Sequence, residues 1–175
     1  ARHEVLVRLE AEGAEVCLNG LYFADGERRL DNLTTIEHVA PHCRSRERYQ
    51  GIASGRGRGA FDGRIIVHPG AFKTDASQSN KNLLLSEAAR VATHPRFEIF
   101  ADDVKCAHGA VVGQLDESAV FYLRSRGVPQ RVARDLLTYA FVSEMVGLLR
   151  VETLRDRVAR TLASRLGGLE VTAWS

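Results

Sequence analysis

Asp31-Asn32-Leu33-Thr34-Thr35-Ile36-Glu37-His38-Val39 and, further on, Asn80-Lys81-Asn82-Leu83-Leu84-Leu85 are strand-like runs that carry Asn and Thr among their apolar residues, in the manner of stacked β-coils. On either side the chain keeps the same texture. Val5, Val7 and Leu9 alternate with polar residues, as do Val16 and Leu18, Thr34 and Ile36, Ile65 and Val67, Leu83 and Leu85, and Phe97 and Ile99. Alternation of this kind is the mark of strands. Each run spans only about four to seven residues before Gly, Asn or Asp breaks it. No helical period longer than a turn occurs before Asp116, so this part is an all-β body. Two architectures fit it. A sandwich or barrel would draw hairpins from Asn19-Gly20, Asp25-Gly26 and Asp62-Gly63. A parallel β-helix would stack short strands between turns with a loose repeat. The Asn- and Thr-bearing runs lean toward the solenoid, although no fixed period stands out.

After Asp116 the period becomes helical. Asp116 or Ser118 caps a first helix that runs through Arg126 and stops at Gly127. Pro129 suits the first residue of a second helix, with Val132, Leu136, Ala140 and Phe141 at helical spacing and Gly147 weakening its end. In a third helix Val151, Leu154, Val158, Leu162 and Leu166 form a stripe, with Arg155, Arg157, Arg160 and Arg165 off it. Gly167-Gly168 is its expected stop, and Leu169–Ser175 a frayed tail. The stripe either packs against its neighbours or docks a partner protein behind an arginine rim.

The chain has 175 residues, enough for a sizeable core, and reads as one domain with an appended subdomain. Its 45% hydrophobic and 26% charged residues are ordinary for a globular protein. The net charge of +2 is evenly spread, which argues against nucleic acid or a membrane surface as partner. Cys17, Cys43 and Cys106 are odd in number and irregularly spaced, the pattern of reduced thiols in the cytoplasm. No apolar run approaches a membrane span and no signal peptide opens the chain. Strand-like Val5-Leu6-Val7 stands close to the first residue, so the chain reads as an excised piece of a longer protein.

Candidate chemistry concentrates in Ala101–Gly113. Cys106 and His108 are two apart in a strand and point the same way, as two ligands of one metal or sulfur species would. Val104, Ala110 and Val112 share that face, however, and among them a free cysteine equally reads as a small packed hydrophobe. His38, His42 and Cys43 form a second cluster, with Pro41 arguing against a helix there. Joined to Cys106 and His108 they would supply the ligands of a metal- or ligand-binding β-helix enzyme. Gly55-Arg56-Gly57-Arg58-Gly59 lacks the phosphate-loop pattern and a following helix, and reads as an exposed turn.

Several stretches resemble a known family. They are Pro41-His42-Cys43 with Ser45-Arg46, Tyr49-Gln50-Gly51-Ile52, Val67-His68-Pro69, and Lys73-Thr74-Asp75-Ala76 with Gln78 and Asn80. Asn82-Leu83-Leu84-Leu85-Ser86, Ala101–Gly113 and Phe121-Tyr122-Leu123-Arg124-Ser125-Arg126-Gly127 complete the set. Together, between Asn32 and Gly147, they resemble the SufB/SufD family of the bacterial SUF iron–sulfur cluster assembly machinery. SufB-type members carry a cysteine at a position falling near Ala89, and His-Glu where this chain has His108-Gly109. Both are missing, while the Lys-Thr-Asp-Ala and Tyr-Leu-Arg-Ser-Arg-Gly stretches are of the SufD type. The paralogous SufB type is the runner-up.

The resemblance implies a right-handed parallel β-helix over residues 1–115 and a C-terminal helical subdomain over 116–175, without the family's N-terminal helical region. It implies a cytoplasmic, non-catalytic scaffold that pairs with a SufB-type paralogue, while the helical ends of both engage a SufC-type ATPase. Phe121, Tyr122, Arg124 and Arg126 are the docking residues expected on the helices. His108 matches a histidine at the interface where the nascent cluster forms, with Cys106 beside it. An imidazole nitrogen there would bind iron jointly with a thiolate of the partner. The isolated chain is expected to hold no tight cofactor, a cluster being present only transiently in the complex. When the chain stands alone, a homodimer is a further candidate.

Overall fold

A computed structural model describes residues 1–165. Eight parallel-paired strands come first: β1 (Arg2–Leu9), β2 (Glu15–Ala24), β3 (Arg29–His38), β4 (Arg44–Ala53), β5 (Arg58–Val67), β6 (Asp75–Leu84), β7 (Arg90–Ile99) and β8 (Lys105–Gln114). Odd strands form one sheet in the order β1-β3-β5-β7 and even strands another, β2-β4-β6-β8. Each coil is therefore one odd and one even strand, and the body is a four-turn parallel β-solenoid, as the resemblance implied. None of the glycine pairs makes a hairpin. Asn19-Gly20 and Asp62-Gly63 lie inside β2 and β5, and Asp25-Gly26 turns the corner from β2 to β3. Gly20 sits inside a strand because the Tyr49 ring of the next coil occupies the space a Cβ would fill.

A repeat does exist. Arg2 pairs with Asp31, Arg29 with Arg58, and Arg58 with Arg90, so the coil recurs every 29 to 32 residues. Its clearest signal is conformational. Gly13, His42, Lys73 and Asp103 all have positive φ, between 51° and 72°, at successive corners. The Gly13 N–H donates to the Pro41 carbonyl at 3.1 Å, that of His42 to Phe72 at 3.0 Å, and that of Lys73 to Asp103 at 2.9 Å. Left-handed backbone costs a non-glycine residue roughly 1–2 kcal/mol. Bonds between coils hold three such residues there.

Alternation assigns the inward faces. Ser45, Glu47 and Tyr49 are buried while Arg44 and Arg48 are exposed. The interior is apolar at one corner, around Leu9, Ile36, Cys43, Ile65, Val67, Ala71 and Ala76. At the other it is lined by Ala24, Ala53 and Ala89. Between them lies a buried polar belt. Tyr22 donates to Asn82 Oδ1 at 2.6 Å, Asn82 donates to Asn80 Oδ1 at 2.5 Å, and Gln78 donates to Glu47 at 2.6 Å.

A second compact unit starts at Gln114. It contains α1 (Glu117–Ser125), α2 (Gln130–Gly147) and α3 (Glu152–Arg165). Asp116 is the N-cap of α1, its carboxylate accepting from the Ser118 N–H at 2.8 Å, and Gly127 follows with a φ of 86°. The buried face of α2 is Ala133, Thr138, Val142, Met145 and Val146. The expected stripe falls mostly elsewhere, since Leu136 and Ala140 are exposed. Apolar residues surround most of this helix, so spacing alone does not select the packed side. On α3 the buried residues are Ala159, Leu162 and Ala163, whereas Leu154 is exposed and Val151 precedes the helix. Leu166, Gly167-Gly168 and the tail lie outside the described residues. No helix among those described is long and apolar enough to cross a membrane.

Candidate functional site

The strand β8 ends the stack of even strands, so among the described residues one of its edges has no neighbouring strand. Cys106 and His108 share its inward parity. Cys106 is half-buried and packs against the apolar corner that contains Cys43. Burial pushes its thiol up, the backbone contact with Ala76 only partly opposing this. That environment favours the neutral, packed thiol over a thiolate ligand. His108 is exposed, with its ring edge-on to Phe97 of β7 at 5.1 Å between centroids. The imidazole therefore has an aromatic wall on one side and is otherwise exposed.

The five-residue metal site does not assemble. His38 is fully buried, bonded through Nε2 to Ser45 Oγ at 2.9 Å, and burial pushes its ring down to about 4. Cys43 is fully buried and its thiol donates to the Ala11 carbonyl at 3.3 Å. His42 turns a corner with its ring edge-on to Phe72 at 5.7 Å. Among the described residues no three His, Cys, Asp or Glu side chains come together to hold a metal. A cleft of about 290 Å³ beside His42 is lined by Arg44, Lys73, Asp75, Asp103 and Lys105. Its charges largely pair internally or nearby, Lys73 with Asp103, Arg44 with Glu15 and Asp75 with Arg46. The Gly55–Gly59 run is the β4–β5 corner and start of β5, with Arg56 paired to Glu27 at 3.1 Å.

Sequence reasoning passed over Glu47 and cited Gln78 only as part of the family resemblance, not as its partner; the two are 1% and 2% exposed. Burial holds the Glu47 carboxyl above its ordinary range, although the Thr34 hydroxyl and Gln78 amide favour the charged form. The signal was available. In Arg44-Ser45-Arg46-Glu47-Arg48-Tyr49 the parity separates Glu47 from all three arginines.

In the helical unit Phe121 and Tyr122 are exposed at 71% and 57%, and the Arg126 guanidinium lies 5.1 Å from the Tyr122 ring centroid. Arg124 is exposed as well. Exposed aromatics of this size with arginine beside them have the composition of protein-binding surfaces.

Comparison with known proteins gives these features a family. Residues 1–141 match the model described as SUF system FeS cluster assembly, SufBD core domain. The iron–sulfur cluster assembly protein SufD of Escherichia coli is 41% identical over 95% of this chain, which spans 40% of that protein. A SufBD family protein of Synechocystis is 34% identical over 94% of this chain, and one of Mycobacterium leprae 32% identical over 91%. The chain spans 36% and 43% of those two relatives. With the four-turn parallel solenoid and the length of the match, the chain belongs to the SufB/SufD family of the SUF iron–sulfur cluster assembly system and is similar to the C-terminal part of its SufD-type members.

Proposed function

We propose that this chain is the core and C-terminal part of a SufD-type scaffold subunit that works without turnover of its own. In this reading it pairs with a SufB-type paralogue through the open end of the solenoid, in the cytoplasm. The observation that carries it is the exposed His108 on the terminal strand β8, backed by Phe97 and without enough further ligands among the described residues to complete a site. A site divided between two chains supplies the rest. His108 contributes a ring nitrogen to iron, and the partner contributes thiolate. The iron–sulfur cluster is cargo, built and passed on. Cys106 lines the site as a packed neutral thiol.

The helical unit engages a SufC-type ATPase through Phe121 and Tyr122, with Arg124 and Arg126 at the rim. Phe121→Ala should weaken capture of that ATPase at least about tenfold, the effect of losing an aromatic anchor. The test of the whole reading is maturation of an apo recipient protein by the reconstituted three-component complex. His108→Ala in the full-length subunit should slow maturation strongly while the complex still assembles. Normal maturation removes His108 from the site. Loss of assembly alone favours a purely structural interaction role.

A further inference from the structure

The inward column beneath His108 leads to the buried carboxyl. The Asp75 N–H donates to the Cys43 carbonyl at 3.0 Å where Arg44 pairs with Asp75. The Lys105 N–H donates to the Thr74 carbonyl at 2.8 Å in the same pattern, which pairs Asp75 with Lys105 and hence Gln78 with His108. Glu47 pairs with Gln78 one coil earlier. Glu47, Gln78 and His108 therefore stand on three successive coils of one sheet, about 4.8 Å apart per coil. All three point inward.

The hydrogen bonds of Gln78 are half used. Its Nε2 donates to Glu47 Oε2 at 2.6 Å, which turns Oε1 away from the carboxylate. That Oε1 is buried and has no hydrogen-bond partner among the described residues. A buried carbonyl left without a donor is unfavourable, because it has given up its water and gained no bond. The next residue up the column, His108, has a ring N–H to give. Phe97 limits the ring from the opposite sheet.

We propose that Gln78, anchored by Glu47, is a positioning residue for His108: its Oε1 accepts one ring N–H and leaves the other ring nitrogen unprotonated and outward for metal. This rests on the reading of His108 as an iron ligand. Histidines that bind metal commonly give their second N–H to a carbonyl or carboxylate, which fixes tautomer and orientation. No other charged side chain is needed in the column. Thr34 faces Glu47, and Tyr49 on the same strand is raised by burial and by the Glu47 charge. His38, one corner away, is held neutral by burial.

The test uses the full-length protein, free of iron, with nitrogen-labelled histidine. The His108 ring signals are assigned by their loss in His108→Ala. One dominant tautomer is expected in the parent protein and a mixture in Gln78→Met. Glu47→Leu, which frees the amide without touching Gln78, should give the same mixture and covers the case in which Gln78→Met does not fold. Glu47→Gln keeps an acceptor for the Gln78 amide and should retain the parent tautomer. Recipient maturation should fall about tenfold or more in the first two variants and be rescued in the third. An unchanged tautomer in Gln78→Met or Glu47→Leu overturns the positioning role. A changed tautomer alongside normal maturation in His108→Ala upholds the positioning and overturns the iron-ligand reading instead.

Discussion

Gly51 shows how closely the coils are fitted at single residues. A Cβ there would run into the Tyr22 ring and the Asn82 amide oxygen that accepts the Tyr22 hydroxyl. Gly51→Ala should destabilise the full-length protein by about 1–3 kcal/mol in urea unfolding, the range for overpacking a filled core. Two buried groups give opposite pH slopes. His38 titrates near 6.5 when unfolded and about 4 when folded. Stability is thus undiminished above pH 6.5 and falls as the pH drops toward 4, by roughly 3 kcal/mol in all. The drop should vanish in His38→Gln. Glu47 is raised instead, so its contribution is favourable at acid pH and is lost as the pH rises past the ordinary carboxylate range. Glu47→Gln should therefore raise the urea midpoint at neutral pH. Residue identity foretold the Cys-x-His pair and its shared face. Which of the two stays accessible was not legible, because that depends on where the stack of coils ends.

Among elements, strands and helices were readable from their periods, and the break near Asp116 was read from the change of period. Asp116 caps α1 as its sequence position suggests, and Asp116→Ala should cost about 1 kcal/mol in thermal unfolding of the helical unit. The coil repeat was not readable. Its fixed feature is a left-handed corner, and that corner is Gly once and then His42, Lys73 and Asp103. A repeat kept in φ and in bonds between coils leaves little trace in residue identity. Asn19-Gly20 and Asp62-Gly63 misled for a related reason, since their glycines make room for Tyr49, Phe61 and Gln78 instead of turning the chain. The packed side of α2 was likewise decided by tertiary neighbours.

For the solenoid as a whole, the inward faces form columns that run the length of the stack. One of them joins a buried carboxyl to the exposed imidazole of the terminal strand. Among the described residues the terminal strand of each sheet keeps one edge without a strand partner, the kind of edge to which a further strand can pair. Under the proposed shared site, the low ligand count among the described residues is what one of two contributing chains would show. The most direct measurement is iron and sulfide content of the full-length subunit co-purified with its SufB- and SufC-type partners. With His108→Ala, both contents should drop sharply in a complex of unchanged composition and thermal midpoint. Iron and sulfide at parent levels in that complex would contradict the account.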